Sequence, residues 1–93
     1  MINVNVVILD WTVRKLLGKE NMSVELKEGE ATVKGLIERL DKKYEGKLWE
    51  TISKSNLNIS ILVNGRDIEF LRGMNAFLSD GDRVAIIPLV AGG

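Results

Sequence analysis

The sequence contains no cysteine and no histidine, only one proline, and 5% aromatic residues. Without cysteine or histidine, the chain excludes a zinc finger, a disulfide scaffold, a thiol nucleophile and a His-based catalytic triad. It also lacks an excess of charge, because 13 Lys and Arg residues offset 13 Asp and Glu residues. This balance argues against nucleic acid or an anionic membrane as a partner bound through a large basic surface.

Length and hydropathy bound the organisation of the chain. With 93 residues, we expect a single domain over 1–93 with one modest core. No apolar run approaches the ~20 residues of a membrane span, and the N-terminal stretch lacks the basic flank and cleavage site of a signal peptide. We therefore expect a soluble, cytoplasmic protein, and the lack of cysteine is compatible with a reducing compartment.

Four segments have the alternating apolar pattern and the β-branched content of strands. They are residues 2–9, 22–27, 57–63 and 83–89. Asn64-Gly65 follows the third segment and predicts a type I′ hairpin, since that turn needs positive φ at both central residues. We expect the chain to return from this hairpin as a short strand over 66–70.

One helix is predicted between the second and third strands, with Thr32 as its N-cap and Gly46 as its end. Its apolar residues follow 3.6-residue spacing and form one stripe: Val33, Leu36, Ile37, Leu40 and Tyr44. Gly35 inside this helix is interpreted as a point of close approach between helix and sheet. One amphipathic helix over a mixed sheet of four or five strands predicts an α+β fold.

The carboxylates are scattered along the chain, and the clearest pair flanks a glycine in Asp80-Gly81-Asp82. Asp and Gly in this order are typical of a turn, so a structural role is favoured over metal binding or acid–base chemistry. The glycines do not have the spacing of a phosphate-binding loop.

The sequence ends in Gly92-Gly93, and at the average glycine content such a pair arises by chance in only ~0.5% of chains. One interpretation is a disordered tail without a role. The other is a tail that presents a C-terminal carboxylate, because two residues without a Cβ atom can enter a narrow channel in a partner. Such a carboxylate is a poor electrophile until it is activated, for example as a mixed anhydride with AMP.

Residues 64–68 (NGRDI) and 78–93 (LSDGDRVAIIPLVAGG) resemble the MoaD/ThiS family of ubiquitin-like β-grasp sulfur carriers. The DGD turn, the apolar strand, the proline and the VAGG ending match in order and spacing, with most resemblance to the small subunit of molybdopterin synthase. Two features depart from the family pattern. Ile86, Ile87 and Leu89 stand where the family often has aromatics and a second proline, and the connection that contains Trp11 is longer.

This resemblance implies a β-grasp fold, a flexible tail over 88–93 and a cycle of sulfur transfer. An adenylyltransferase of the ubiquitin-activating type (MoeB/ThiF-like) joins AMP to the Gly93 carboxylate, using ATP and magnesium. A sulfur donor displaces AMP and leaves a thiocarboxylate. The tail then enters the large, MoaE-like subunit of the synthase, where the sulfur passes to a pterin precursor of the molybdenum or tungsten cofactor. The catalytic residues belong to these partners, no cofactor is bound by the chain itself, and Gly93 supplies the reactive group.

The sheet is predicted to carry a partner-binding surface on the side away from the helix. If Val4, Val6 and Ile86 face the helix, alternation turns a second apolar set outward: Val7, Leu9, Leu62, Ala85 and Ile87. An exposed apolar patch usually marks an interface, although residues 66–79 or the first connection are alternative covers for it. The predicted partner contacts are Val7, Leu9, Leu62, Ile87, Pro88, Leu89, Val90, Ala91 and Gly92.

Three functions are left open by the sequence. The first is a sulfur carrier, the second is a protein modifier joined to lysines through Gly93, and the third is a ubiquitin-like binding module in which the terminal glycines are incidental. A small enzyme acting alone is disfavoured by the lack of histidine and cysteine.

Overall fold

A computed structural model describes residues 1–44, 47–54 and 59–88 of the chain. In chain order, the helices and strands of this part are β1 (Ile2–Ile8), α1 (Trp11–Leu17), β2 (Asn21–Leu26), α2 (Val33–Tyr44), α3 (Leu48–Lys54), β3 (Ile59–Val63), β4 (Arg66–Asp67) and β5 (Arg83–Pro88). Short 3-10 turns lie at Glu28–Glu30, Ile68–Phe70 and Gly73–Asn75. None of the described helices is long and apolar enough to cross a membrane.

The strands form one five-stranded sheet in the order β2-β1-β5-β3-β4. The first and last strands, β1 and β5, lie side by side and run parallel, while the other neighbours are antiparallel. The predicted mixed sheet and α+β class are therefore confirmed. The last described strand, β5, lies between β1 and β3, so the chain leaves the sheet from a central strand.

The core lies between one face of the sheet and the helices. Alternate residues of the three central strands are buried: Val4, Val6, Ile8, Ile61, Val63, Val84 and Ile86. They meet the buried stripe of α2, which is formed by Val33, Leu36, Ile37 and Leu40. Full burial of each such side chain contributes roughly 1.5–3 kcal/mol to stability. The apolar residues recur every second position in the strands and every 3.6 positions in α2, and this spacing determines which faces pack together.

Helix α2 begins as predicted. The backbone N–H of Gly35 donates to Oγ1 of Thr32 at 3.0 Å, which is the capping bond expected from a threonine at this position. The predicted end at Gly46 lies outside the described residues. Gly35 does allow a close approach, but the expected partner was wrong: a Cβ atom there would collide with the backbone of Glu30 in the preceding 3-10 turn, not with the sheet.

The connection between the first two strands contains the helix α1. Asp10 caps α1 by accepting the N–H of Val13 at 3.0 Å. Gly18 ends it in the left-handed region at φ 71° and donates its N–H to the carbonyl of Arg14. The caps at both ends explain why a helix this short is formed here.

The hairpin at Asn64-Gly65 is confirmed, with φ values of 50° and 86°. The returning strand, however, is only two residues long, so the predicted strand over 66–70 is wrong beyond Asp67. The side chain of Asp67 accepts the backbone N–H of Glu69 at 2.9 Å and thereby starts a 3-10 turn. A local side-chain bond of this kind competes with the sheet ladder and ends the strand.

Candidate functional site

The predicted reactive group lies beyond the end of β5. Pro88 is the last described residue of this strand, is exposed, and is in register with Ile59 of β3. The other predicted tail positions lie outside the described residues: Leu89, Val90, Ala91, Gly92 and Gly93. Their roles stay predictions, but the length of five residues limits Gly93 to within about 18 Å of Pro88.

Next to this end of β5, apolar side chains form a row across three strands on the side of the sheet away from the helices. Ala85 of β5 is in register with Val7 of β1 and with Leu62 of β3. Directly paired residues in a sheet bring their Cβ atoms to within about 5 Å. Ile87 continues the row along β5, and Leu9 follows the end of β1. We call Val7, Leu9, Leu62, Ala85 and Ile87 the apolar face.

No described element covers the apolar face. The first connection places Val13 in the core, and the segment after β4 buries Ile68, Ala76 and Leu78 there, so both lie on the helix side of the sheet. The two covers that the sequence left possible are therefore excluded for the described residues. Leu9 is 49% exposed. A shallow groove of about 440 Å³ is lined by four residues of the apolar face, Leu9, Leu62, Ala85 and Ile87.

The rest of this side of the sheet is polar. Arg83, two residues before Ala85 on the same side of the sheet, is in register with Asn5 of β1. Strand β2 contributes Asn21, Ser23 and Glu25 to this side, and all three are exposed. The apolar face is thus confined to the end of the central strands where β5 reaches Pro88. A protein that docks on the apolar face approaches the start of the tail.

A fixed negative charge lies at the rim of the apolar face. Asp67 is paired with Leu62, and its carboxylate accepts the N–H of Glu69 at 2.9 Å and the hydroxyl of Ser60 at 2.7 Å. The backbone bond from Glu69 and, after it, the bond from Ser60 lower the pKa of Asp67 below 3.8. Sequence reasoning missed this pair, although an aspartate directly after the hairpin is a signal for a side-chain-capped turn.

The Asp80-Gly81-Asp82 turn has the structural role that the sequence predicted. Asp80 accepts the backbone N–H of Asn3 at 2.7 Å, and Asp82 accepts that of Ser79 at 2.8 Å. Gly81 adopts φ 86°, a value that favours glycine. Among residues 1–44, 47–54 and 59–88, no three acidic side chains come together as a metal site.

The family model described as the ThiS family matches residues 11–93 of the chain. The chain belongs to the ThiS family. The match includes both motifs, residues 64–68 and 78–93, on which the resemblance was based. It also includes the longer first connection from Trp11 onward, so this departure does not remove the chain from the family.

Two curated relatives extend this assignment of the ThiS-family chain. Small archaeal modifier protein 3 of Haloferax volcanii is 32% identical over 84 residues, which are 88% of this chain and 90% of the relative. Sulfur carrier protein CysO of Mycobacterium tuberculosis is 35% identical over 75 residues, which are 80% of this chain and 73% of the relative.

Solved structures confirm the ubiquitin-like β-grasp fold. A candidate molybdopterin converting factor, subunit 1, from Pyrococcus furiosus aligns with a TM-score of 0.73 and 28% identity, covering 97% of this chain and 100% of that one. CysO in the BexX/CysO complex of Amycolatopsis orientalis aligns with a TM-score of 0.72 and 32% identity, covering 97% and 99%. The second structure is that of a relative bound to another protein.

Proposed function

We propose that this ThiS-family chain is a sulfur carrier, in which the carboxylate of Gly93 is adenylated and then converted to a thiocarboxylate. One observation carries the proposal: the apolar face is open at the end of the sheet where β5 leads toward Gly92-Gly93. The five residues after Pro88 can place Gly93 up to about 18 Å from it, so an enzyme docked on the apolar face has Gly93 within that reach. The names of the CysO relatives support the same activity.

The chemistry requires no titratable side chain of the carrier. On a MoeB/ThiF-like enzyme, an oxygen of the Gly93 carboxylate attacks the α-phosphorus of magnesium-bound ATP, and pyrophosphate leaves. Sulfide then attacks the carbonyl carbon, so that a C–S bond forms, the C–O bond to AMP breaks and one proton is released. A chain without cysteine and histidine can serve in this way because the enzyme holds the catalytic groups.

The proposed acceptor of the sulfur is a pterin precursor of molybdopterin. Support comes from the likeness to the Pyrococcus furiosus protein, which spans nearly the whole chain. In this proposal a MoaE-like subunit binds the apolar face and accepts residues 89–93 in its active site. Activation consumes ATP, so we place the cycle in the cytoplasm.

A second candidate is a protein modifier, and one specific observation favours it. The small archaeal modifier relative is 32% identical over 84 residues. The modifier and the carrier share the adenylate, and they differ in the nucleophile that follows. A lysine amine that attacks the Gly93 carbonyl in place of sulfide forms an isopeptide bond and releases AMP.

Intact mass of the protein purified from its host, with fragmentation of its last peptide, tests the proposal. The measurement is then repeated on the protein after incubation with a MoeB/ThiF-like enzyme, ATP, magnesium and sulfide. We expect one terminal oxygen of Gly93 to be replaced by sulfur. A remnant of the chain's C-terminal peptide, joined through Gly93 by an isopeptide bond to lysines of other proteins, supports the modifier instead. An unchanged carboxylate in both samples, or a mature chain that does not end at Gly93, overturns both candidates.

Two variants serve as controls. A chain extended by one residue after Gly93 should remain unmodified, because the reacting carboxylate is displaced. A chain that lacks Gly92 and Gly93 should lose modification but keep its far-UV circular dichroism, since neither residue belongs to the described sheet. Loss of folded structure in the shortened chain would contradict the division between scaffold and tail.

A further inference from the structure

Strand β2 forms an edge of the sheet, and its outer side is unpaired among the described residues. The N–H of Ile8 donates to the carbonyl of Glu20 at 2.8 Å. This bond determines which positions of β2 are hydrogen-bonded to β1. In an antiparallel pair, bonded positions alternate along each strand. Met22 and Val24 therefore bond toward β1, while the backbone groups of Asn21, Ser23 and Glu25 point outward.

This edge is suited to accept another strand. Proteins usually protect their edges with proline, bulges or very short strands. β2 is six residues long, contains no proline, and pairs with β1 without a bulge. Its outward N–H and C=O groups are bonded to none of the described residues.

A groove of about 550 Å³ runs between this edge and α2. Ser23 and Glu25 line the strand side, and the buried side chains of Val24 and Leu40 lie beneath. An extended chain placed in the groove therefore lies alongside the outward backbone groups of β2. Peptides that bind in this way gain affinity from main-chain hydrogen bonds and specificity from side chains beside the strand.

The helix side of the groove is basic. Arg39, Lys42 and Lys43 line it, and Glu25 on the strand side is the one acidic residue of the lining. The ion pair present in the described part of the chain, Arg14–Glu20, involves none of these three cations. A fourth cation lies close by, because the ammonium groups of Lys19 and Lys43 are 5.9 and 5.7 Å from the centre of the Tyr44 ring. Positive charge is thus concentrated along one wall.

We propose that this groove binds an acidic, extended peptide segment of a partner protein, which adds to the sheet as a strand beside β2. The outward backbone groups of Ser23 and Glu25 form the ladder, and Arg39, Lys42 and Lys43 select carboxylates. RNA would meet the same cations but would leave the strand edge unpaired, so a peptide is favoured. The proposal does not depend on Gly93.

The test uses a synthetic peptide with alternating valine and isoleucine flanked by glutamates, titrated into the full chain and followed by calorimetry and by NMR. We expect binding that weakens with added salt and slower hydrogen exchange at the amides of Ser23 and Glu25. A peptide with lysines in place of the glutamates should not bind. A peptide N-methylated on the residues that face the edge should bind at least about tenfold more weakly, since it cannot form the ladder.

Two charge reversals on the same helix provide a matched pair. Lys42→Glu should weaken peptide binding about tenfold, whereas Lys34→Glu, exposed and outside the groove, should leave it nearly unchanged. The proposal would be overturned if the acidic peptide did not bind, or if the two variants had equal effects. It would also be overturned if the N-methylated peptide bound as well as the unmodified one, or if a single-stranded RNA bound more tightly at these residues. The chain without Gly92 and Gly93 should bind the peptide normally, which separates this result from that for the sulfur carrier.

Discussion

Asn64 and Asp82 are joined by a side-chain hydrogen bond of 2.9 Å, from Nδ2 to Oδ1, across 18 positions of sequence. Oδ1 of the same asparagine accepts the backbone N–H of Arg83 at 3.0 Å. The two bonds tie the β3–β4 hairpin to the first residue of β5. They hold the end of β5 that is opposite the tail, so the strand that leads to Gly93 starts from a fixed base.

Replacing Asn64 separates this link from the backbone geometry of the turn. Asn64→Gly removes both side-chain bonds but retains access to φ 50°, so it should lower the free energy of unfolding by about 1 kcal/mol. Asn64→Ala should lose about 1 kcal/mol more, because the left-handed region is strained for alanine. Urea unfolding of the two variants measures both effects. Equal stability of the variants would show that the turn relaxes around alanine.

Gly35→Ala should destabilise the protein, although alanine is the better helix former. The added Cβ atom would collide with the backbone of Glu30, and overpacking of this kind typically costs about 1–3 kcal/mol. Gly29→Ala is the matched control, since a Cβ atom there meets nothing within 4 Å. Thermal unfolding should show a lower midpoint for Gly35→Ala alone. A stabilised Gly35→Ala would mean that the 3-10 turn moves away at little cost.

Residue patterns were enough to predict the two sides of the sheet. Val4 and Val7 illustrate why: alternation alone assigns the first to the core and the second to the open side, and the structure agrees. The apolar face follows from the same period. The sequence pattern did not predict that the apolar face is left uncovered, because this depends on the side of the sheet on which Val13 and Leu78 pack.

Local competition and strand order explain what the sequence did not reveal. The strand after the hairpin stops at Asp67 because its side chain bonds to a nearby N–H, an effect that apolar spacing does not register. Lys42 and Lys43 lie in the last turn of α2, a position typical of solvated cations at a helix end. Their role in a groove emerges only when β2 is known to be an edge strand, and that depends on the distant pairing of β1 with β5.

Asp67 should make the stability depend on pH in the acid range. Its pKa is lowered in the folded protein by the N–H of Glu69 and by Ser60. A lowered folded pKa means that the stabilisation is present above the unfolded value, near 3.8, and is lost as the pH falls through the folded value. Unfolding by urea at a series of pH values should therefore show a stability gap between the wild type and Asp67→Asn that narrows below about pH 4. Glu69→Gln, which keeps the backbone donor, should retain the wild-type pH profile, and a constant gap for Asp67→Asn would contradict the assignment.

Ile87→Asp should weaken partner binding more than folding. Ile87 is half-buried on the apolar face, so an aspartate there remains partly hydrated and should cost at most about 1.5 kcal/mol of stability. At a docked interface the same carboxylate would be buried without a partner, at about 2 kcal/mol or more, which corresponds to roughly 30-fold weaker binding. The neighbouring Ile86 is fully buried, and Ile86→Asp should instead unfold the domain. Calorimetry with a MoeB/ThiF-like enzyme measures the loss of binding, and urea unfolding of both variants measures the loss of stability. Equal losses of binding and of stability in Ile87→Asp would show that the Ile87 side chain belongs to the core.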